Sequence, residues 1–263
     1  MQFNALVRVA TMKKILIFAA LAAMPSLSAY TSTNMAGQTG LISTPSARIV
    51  WEGNNSTAAV TAGYSYANNG TGYHAPNVNV ALFDRFEVGG IFNSVGGSGN
   101  NDFMLHGKLR FSPWSGRGNS ALAIGGNYQS LEPGAVTVGQ AYLAATYEAN
   151  FFGMEADTSI VLGKTFGSAT RSGDLDFLMG FDLNFFPSLF NGYVRWLNEL
   201  ANYDYLYGNS PTRALSRGAF NTGFRIPILK HMSNLKFDVN IKMTDALDDD
   251  RGFAAGAVFG ARF

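Results

Sequence analysis

The sequence predicts an all-β fold: a single antiparallel transmembrane barrel of about twelve strands in a bacterial outer membrane. Three observations carry this. The last stretch, Gly252 to Phe263, places Phe253, Ala255, Ala257, Phe259, Ala261 and Phe263 on one face and Ala254, Gly256, Val258, Gly260 and Arg262 on the other. A strand that alternates in this way and closes on an aromatic residue reads as the final strand of a barrel, with Phe263 as its insertion signal. In Leu235 to Thr244 the alternation is unbroken, Leu235, Phe237, Val239, Ile241 and Met243 opposing Lys236, Asp238, Asn240, Lys242 and Thr244. Finally, charged residues are only 14% of the chain, against an aromatic content of 13% and 30 glycines in 263 residues. Soluble domains carry about a quarter charged residues.

From the N-terminus, Lys13 and Lys14 precede an apolar run, Ile15 to Ala23, and a small-residue zone, Ser26 to Ala29. This is the pattern of a secretory signal peptide over residues 1–29. Translation is expected to start at Met12 and the mature chain at Tyr30. No later stretch approaches 18 consecutive apolar residues, so a membrane can be crossed only by a closed barrel. The chain has no cysteine.

Residues 30–55 form an N-terminal segment, and 56–263 the barrel. Strands are predicted at Ser56 to Tyr66, Asn77 to Phe83, Phe86 to Asn93, Asp102 to Phe111, Ser120 to Gln129 and Gly139 to Glu148. Six more follow at Met154 to Lys164, Leu175 to Phe185, Tyr193 to Tyr203, Gly218 to Ile228, Leu235 to Asp245 and Gly252 to Phe263. Compact connections such as Asp84-Arg85 and Asn150 to Gly153 alternate with longer polar ones such as Ala67 to Pro76 and Asp204 to Arg217. Short turns face the periplasm and long loops the exterior. Phe83, Phe86, Phe111, Trp114, Phe151, Phe152, Phe186 and Phe190 sit around the compact set and predict a lower aromatic girdle; Tyr64, Tyr66, Tyr128, Tyr203, Tyr205 and Tyr207 predict the upper one. A secreted soluble sandwich alternates too, but its solvent face would be charged, and here that face is mostly Gly, Ala, Ser, Thr or Asn.

Inward charges divide by strand. His106, Lys108, Arg110, Arg225, Lys236, Lys242 and Arg262 form basic walls; Glu148, Glu155, Asp157, Asp176 and Asp182 oppose them, and Asp238 lies between Lys236 and Lys242. If they pair, they fill the lumen; if they stay solvated, they line a path for a polar or acidic solute. Pairing is the preferred reading, because the counts nearly cancel.

Catalysis is not expected. Of the three histidines, His74 and His231 fall in predicted loops, and His106 with Ser120 carries no lipase motif. Asp248 to Asp250 reads as a solvated loop tip, so no metal and no cofactor are expected. A net charge of +1 without a basic run gives no case for nucleic acid.

Between signal and barrel lies Gly40-Leu41-Ile42-Ser43-Thr44-Pro45-Ser46-Ala47-Arg48, followed by Glu52-Gly53. This stretch resembles the N-terminal signature of YjbH-like outer-membrane proteins associated with exopolysaccharide and capsule operons, through Gly40, Leu41, Ile42, Thr44, Pro45, Ala47 and Arg48. Phe86 to Gly90 and Ala121 to Gly125 are similar to that family in cadence. Its members are often much longer, with more than one barrel. The resemblance implies a barrel linked to export or surface assembly of polysaccharide, as conduit or docking barrel, with polysaccharide and periplasmic export proteins as partners. The barrel itself implies lipid, lipopolysaccharide and the barrel-assembly machinery. Alternatives are a general or saccharide-selective diffusion porin and a non-conducting structural or adhesive barrel. Two roles are open for the signature, a short lumenal or wall segment: one that lines the inside of the wall or adds a partial strand, with Arg48 toward the lumen, which is preferred; or a plug or gate.

Overall fold

The computed structural model describes residues 30–51, 57–68, 70, 72–96, 101–111, 120–131, 136–167, 175–202, 218–247 and 251–263. The signal peptide, Glu52-Gly53, Trp114, Tyr203, Tyr205, Tyr207 and Asp248 to Asp250 lie outside them.

Twelve antiparallel strands close on themselves, each pairing with its sequence neighbours and β12 with β1. They are β1 (Ala58–Asn68), β2 (Gly72–Leu82), β3 (Phe86–Val95), β4 (Asn101–Phe111), β5 (Ser120–Leu131) and β6 (Val136–Phe151). The circuit continues with β7 (Met154–Gly167), β8 (Asp176–Asn184), β9 (Arg195–Asn202), β10 (Ala219–Pro227), β11 (Leu235–Thr244) and β12 (Gly252–Arg262). A one-turn helix α1 (Pro187–Phe190) sits between β8 and β9. Among the described residues no helix is long and apolar enough to cross a membrane.

The seam closes at the chain's end. Phe263 donates its N–H to the Ala58 carbonyl at 2.8 Å, and its own carbonyl accepts from Thr57 at 3.2 Å. An even strand count returns the end of β12 to the rim where β1 begins, beside the compact turns. Phe152 (φ 52) and Gly153 (φ 81) form one of these as a two-residue hairpin turn with both residues left-handed. Short turns place this rim in the periplasm.

Strand alternation sets the two surfaces. Leu105, Leu122, Ile124, Leu143, Leu162, Phe177, Leu200, Phe224, Ile241, Phe253 and Phe259 are exposed outward and form the belt that meets lipid. Tyr64, Tyr66 and Tyr128 extend it toward the outer rim, where the Tyr64 hydroxyl meets His74 Nδ1 at 2.5 Å. Inward positions are buried and mostly small or polar, with a few larger apolar ones such as Ile91, Met104, Leu178 and Leu197.

Several boundaries shift by two or three residues, β6 for example running Val136–Phe151 and not Gly139 to Glu148, and the largest shift is at β2. The predicted loop Ala67 to Pro76 is mostly strand: β2 starts at Gly72 and pairs with β1 throughout, Pro76 opposite Tyr64. Proline is the reason the sequence misleads. It has no N–H to give, and on its other side the ladder to β3 skips from His74 to Asn77. One flank of β2 tolerates it; the pattern of side chains does not reveal which.

Candidate functional site: the filled lumen

Residues 31–51 lie inside the barrel, and every one of them is buried. The segment adds no strand to the wall. Its backbone bonds close within itself: Asn34 N to Gln38 O at 2.8 Å, Met35 N to Ile42 O at 2.9 Å, Leu41 N to Thr44 O at 2.9 Å and Ser46 N to Thr39 O at 2.9 Å. A coil that enters a narrow tube must still satisfy its remaining amides and carbonyls. Wall side chains do so.

Glu199 on β9 is the main anchor. Its carboxylate accepts five hydrogen bonds: from the N–H groups of Ile42 (3.1 Å), Ser43 (2.9 Å) and Thr44 (3.0 Å), from Ser43 Oγ (2.5 Å) and from Asn221 Nδ2 (2.7 Å). Three consecutive amides converging on one carboxylate form an anion nest, with the anion supplied by the wall. The turn that aims them is the signature itself. A side chain at Gly40 would collide with the Thr44 carbonyl oxygen, so only glycine closes the turn. Leu41 packs toward Gly180 on β8, where any Cβ would stand 2.7 Å from Leu41 Cδ1.

Glu87 on β3 repeats the device, accepting from Thr39 N at 2.8 Å and Thr39 Oγ1 at 2.5 Å while pairing with Lys108 at 3.2 Å. Cations serve the carbonyls. Arg225 donates to Gly40 O at 3.0 Å, Lys108 to Ser46 O at 3.0 Å, and Lys236 to the carbonyls of Val50, at 3.0 Å, and Thr31. Ala47 donates its N–H to Thr146 Oγ1 at 2.9 Å, and Arg48 forms a buried ion pair with Asp157 at 2.7 Å. Deeper in, Tyr142 donates to Gln38 at 3.0 Å, Gln38 to Asn127 at 3.1 Å, Asn127 to Gln140 at 3.0 Å and Gln140 to Asp176 at 2.8 Å.

The inward charges named from the sequence are therefore used in three ways. Asp182 bridges Arg195 at 2.5 Å and Arg225 at 2.8 Å, a pairing within the wall. Lys108, Arg225 and Lys236 reach the segment's carbonyls, while Asp157 and Asp238 reach its side chains, Arg48 and Tyr30. Burial and the Asp238 carboxylate raise the Tyr30 phenol above its ordinary range, so it stays a donor. Asp176, bonded to Gln140, also accepts from Thr165 at 2.5 Å, and Lys242 is buried on β11. His106 is buried without a hydrogen-bond partner. Arg110, Glu148 and Arg262 stand near the periplasmic rim. Arg110 donates to the Asp84 carbonyl at 3.3 Å, Glu148 lies opposite Asp157, and Arg262 contacts Asn234 at 3.4 Å in an exposed position.

Glu87, Arg195 and Glu199 escape the sequence reading of the site. Glu87 carries a usable signal, since Phe86-Glu87-Val88 alternates cleanly. Arg195 and Glu199 do not, because Leu197 and Ala201 share their inward face while Asn198 points outward.

The space left between segment and wall near Arg48, Asp157, Asp182 and Arg225 is about 20 Å³, room for about one water. Where the segment meets the periplasm, a vestibule of about 830 Å³ opens around Tyr30, Arg195, Tyr193, Lys230 and His231. Among the described residues no cluster of His, Cys, Asp or Glu could hold a metal.

A closed twelve-stranded sheet, an apolar outward belt and polar side chains inside define an outer-membrane β-barrel protein of bacteria. No protein-family model matches the chain, and no curated protein matches it. Solved structures do. It is similar to the KdgM porin in complex with disordered oligogalacturonate, at 10% identity over 77% of this chain and 99% of that one, with a TM-score of 0.51. It is also similar to the NanC porin, at 12% identity over 76% and 98%, with a TM-score of 0.48, and to the Acinetobacter baumannii outer membrane protein Omp33, at 10% identity over 81% and 100%, with a TM-score of 0.45. At these identities the likeness concerns the fold.

Proposed function

We propose that the protein is a plugged diffusion porin for saccharide-class solutes, with residues 31–51 as its plug. The single observation that carries the reading is how the segment is held: by directional polar contacts from Glu199, Glu87, Arg225, Lys108 and Lys236. A purely structural barrel could fill its lumen with wall side chains packed against each other. Here the wall instead presents hydrogen-bonding groups to a separable piece of chain, and the same groups suit a hydroxylated solute once the piece moves. The fold likeness to a porin described in complex with oligogalacturonate points the same way on substrate class. The polysaccharide-export expectation, drawn from Gly40 to Arg48, asks for partners beyond the chain. The porin reading asks for none.

The test is conductance of the refolded protein in a planar bilayer, with and without residues 30–51. The intact chain is expected to be closed with rare openings, and the shortened chain to conduct steadily. A silent shortened chain that still forms a heat-modifiable barrel on a gel would overturn the proposal in favour of a structural barrel.

A further inference from the structure

The lumen has a second polar patch, which the plug's anchors leave unused. Thr61 on β1, Asn77 and Asn79 on β2 and His106 on β4 are all more than nine-tenths buried. Thr61 Oγ1, Asn77 Oδ1, both amide atoms of Asn79 and both ring nitrogens of His106 have no hydrogen-bond partner. These six atoms belong to one surface. Thr61 stands opposite Asn79, Asn79 opposite Gly89, and Gly89 opposite His106. Two glycines keep its floor clear. A Cβ at Gly89 would lie 2.7 Å from His106 Nε2, and one at Gly63 would lie 2.7 Å from Asn77 Oδ1. From the plug, Gly37 closes over the patch with its own Cβ position 2.9 Å from Asn77 Cβ.

Buried polar atoms nearly always have a partner, and an isolated one is costly unless water or a ligand supplies it. Six together mark a place where a polar guest is expected. The charges beside His106, Glu87 and Lys108, are already paired with each other at 3.2 Å; the groups of the patch are a hydroxyl, two primary amides and an imidazole. Each can both donate and accept. Their complement is a ligand whose groups also do both, which describes the hydroxyls of a sugar ring better than an anion or a cation.

We propose that Thr61, Asn77, Asn79 and His106 form a saccharide subsite, and that the solute path runs between the plug and the β1–β2 wall. This rests on the porin reading. Parting the lumen here breaks no hydrogen bond of the six atoms and gives each one a partner. Parting it at β9 would break the bonds that converge on Glu199.

The chain has no cysteine, so single-cysteine variants need no background changes. Asn79→Cys and Thr146→Cys, each in the full chain in liposomes, would be reacted with a small water-soluble methanethiosulfonate. Thr146 is the control because it is buried against the plug at Ala47, where the neighbouring Arg48–Asp157 pair at 2.7 Å still holds the plug in the variant. Asn79→Cys should react about tenfold faster, the margin expected from about one hydrogen bond to be broken, and maltotriose should slow it without affecting Thr146→Cys. Equal rates, or faster reaction at Thr146→Cys, would overturn the path. Faster reaction at Asn79→Cys that maltotriose leaves unchanged would overturn the saccharide subsite. Should Asn79→Cys not refold, Thr61→Cys carries the same expectation. Failure of the porin reading registers separately, as silence of the shortened chain in the bilayer.

Discussion

Two arcs of the same wall treat the plug in opposite ways. Along β9 and β10, Glu199, Asn221 and Arg225 are fully engaged with one another's strands and with residues 40–44 of the plug. Along β1 and β2, with His106 from β4, equally buried polar atoms meet the plug with nothing bonded to them. Both arcs belong to one continuous ladder, so strand geometry does not separate them. What separates them is the ionic character of the side chains. A buried carboxylate must be satisfied or expelled, so Glu199 organises three amides around itself; a buried amide or hydroxyl without a partner costs less than an unpaired charge, but still enough to favour a polar guest. The segment is bonded to β3, β4, β6, β9, β10 and β11, while the Thr61, Asn77 and Asn79 atoms of β1 and β2 stay unbonded, the side on which the proposed path would open.

The largest expected effect comes from breaking the firm arc. Glu199→Ala leaves the amides of Ile42, Ser43 and Thr44 buried without an acceptor and should destabilise the seated plug by about 3–5 kcal/mol. Channel recordings should show frequent openings, and a protease added from the periplasmic side should cut between Tyr30 and Trp51. A plug that stays closed and protected would mean that Glu87, Arg225 and Lys108 hold it alone.

A smaller loss is expected at the turn. Gly40→Ala drives a methyl into the Thr44 carbonyl oxygen, costing about 1–3 kcal/mol and raising open probability without altering barrel assembly. Heat-modifiable mobility on a gel separates the two outcomes; if assembly fails as well, the segment is needed to fold the barrel and is more than a plug.

Tyr142→Phe removes one donor, to Gln38, and should cost about 1 kcal/mol of plug seating, visible as a modest rise in protease sensitivity. The smallest effect sharpens the contrast by its sign. Asn79→Leu removes two buried polar atoms that have no partner, so the melting temperature in detergent should stay level or rise, a shift within about 1 kcal/mol. A clear loss of stability there would show that Asn79 is already satisfied in the closed state and would weaken the loose-arc picture.

How much of this could be read in advance differs by element. In Leu235 to Thr244 and Gly252 to Phe263 each residue's face follows from its parity, because the period of a strand is two and lipid admits no polar side. The strand around Arg195 to Ala201 was placed but its charges were not, since Leu197 and Ala201 sit inward among polar neighbours where the plug offers them apolar company. Pro76 disguised the first half of β2 as loop. The signature stretch showed that Gly40 to Arg48 is too apolar for a linker and needs glycine and proline at fixed points. It left open whether the segment lines the inside of the wall, adds a partial strand or plugs the lumen.

The sequence by itself determined that the chain closes into an outer-membrane barrel, where its twelve strands fall and which side of the cleanly alternating ones meets lipid, because those follow from local period and turn residues. Only the tertiary structure decided that residues 31–51 occupy the lumen, that Glu199 and Glu87 receive their amides, and that Thr61, Asn77, Asn79 and His106 are left without partners. These are contacts between residues far apart in the chain, 157 positions between Ile42 and Glu199 and 205 between Thr31 and Lys236. No local pattern encodes which side chain meets which amide across a closed sheet; that depends on the barrel's closure and on how the enclosed coil turns within it.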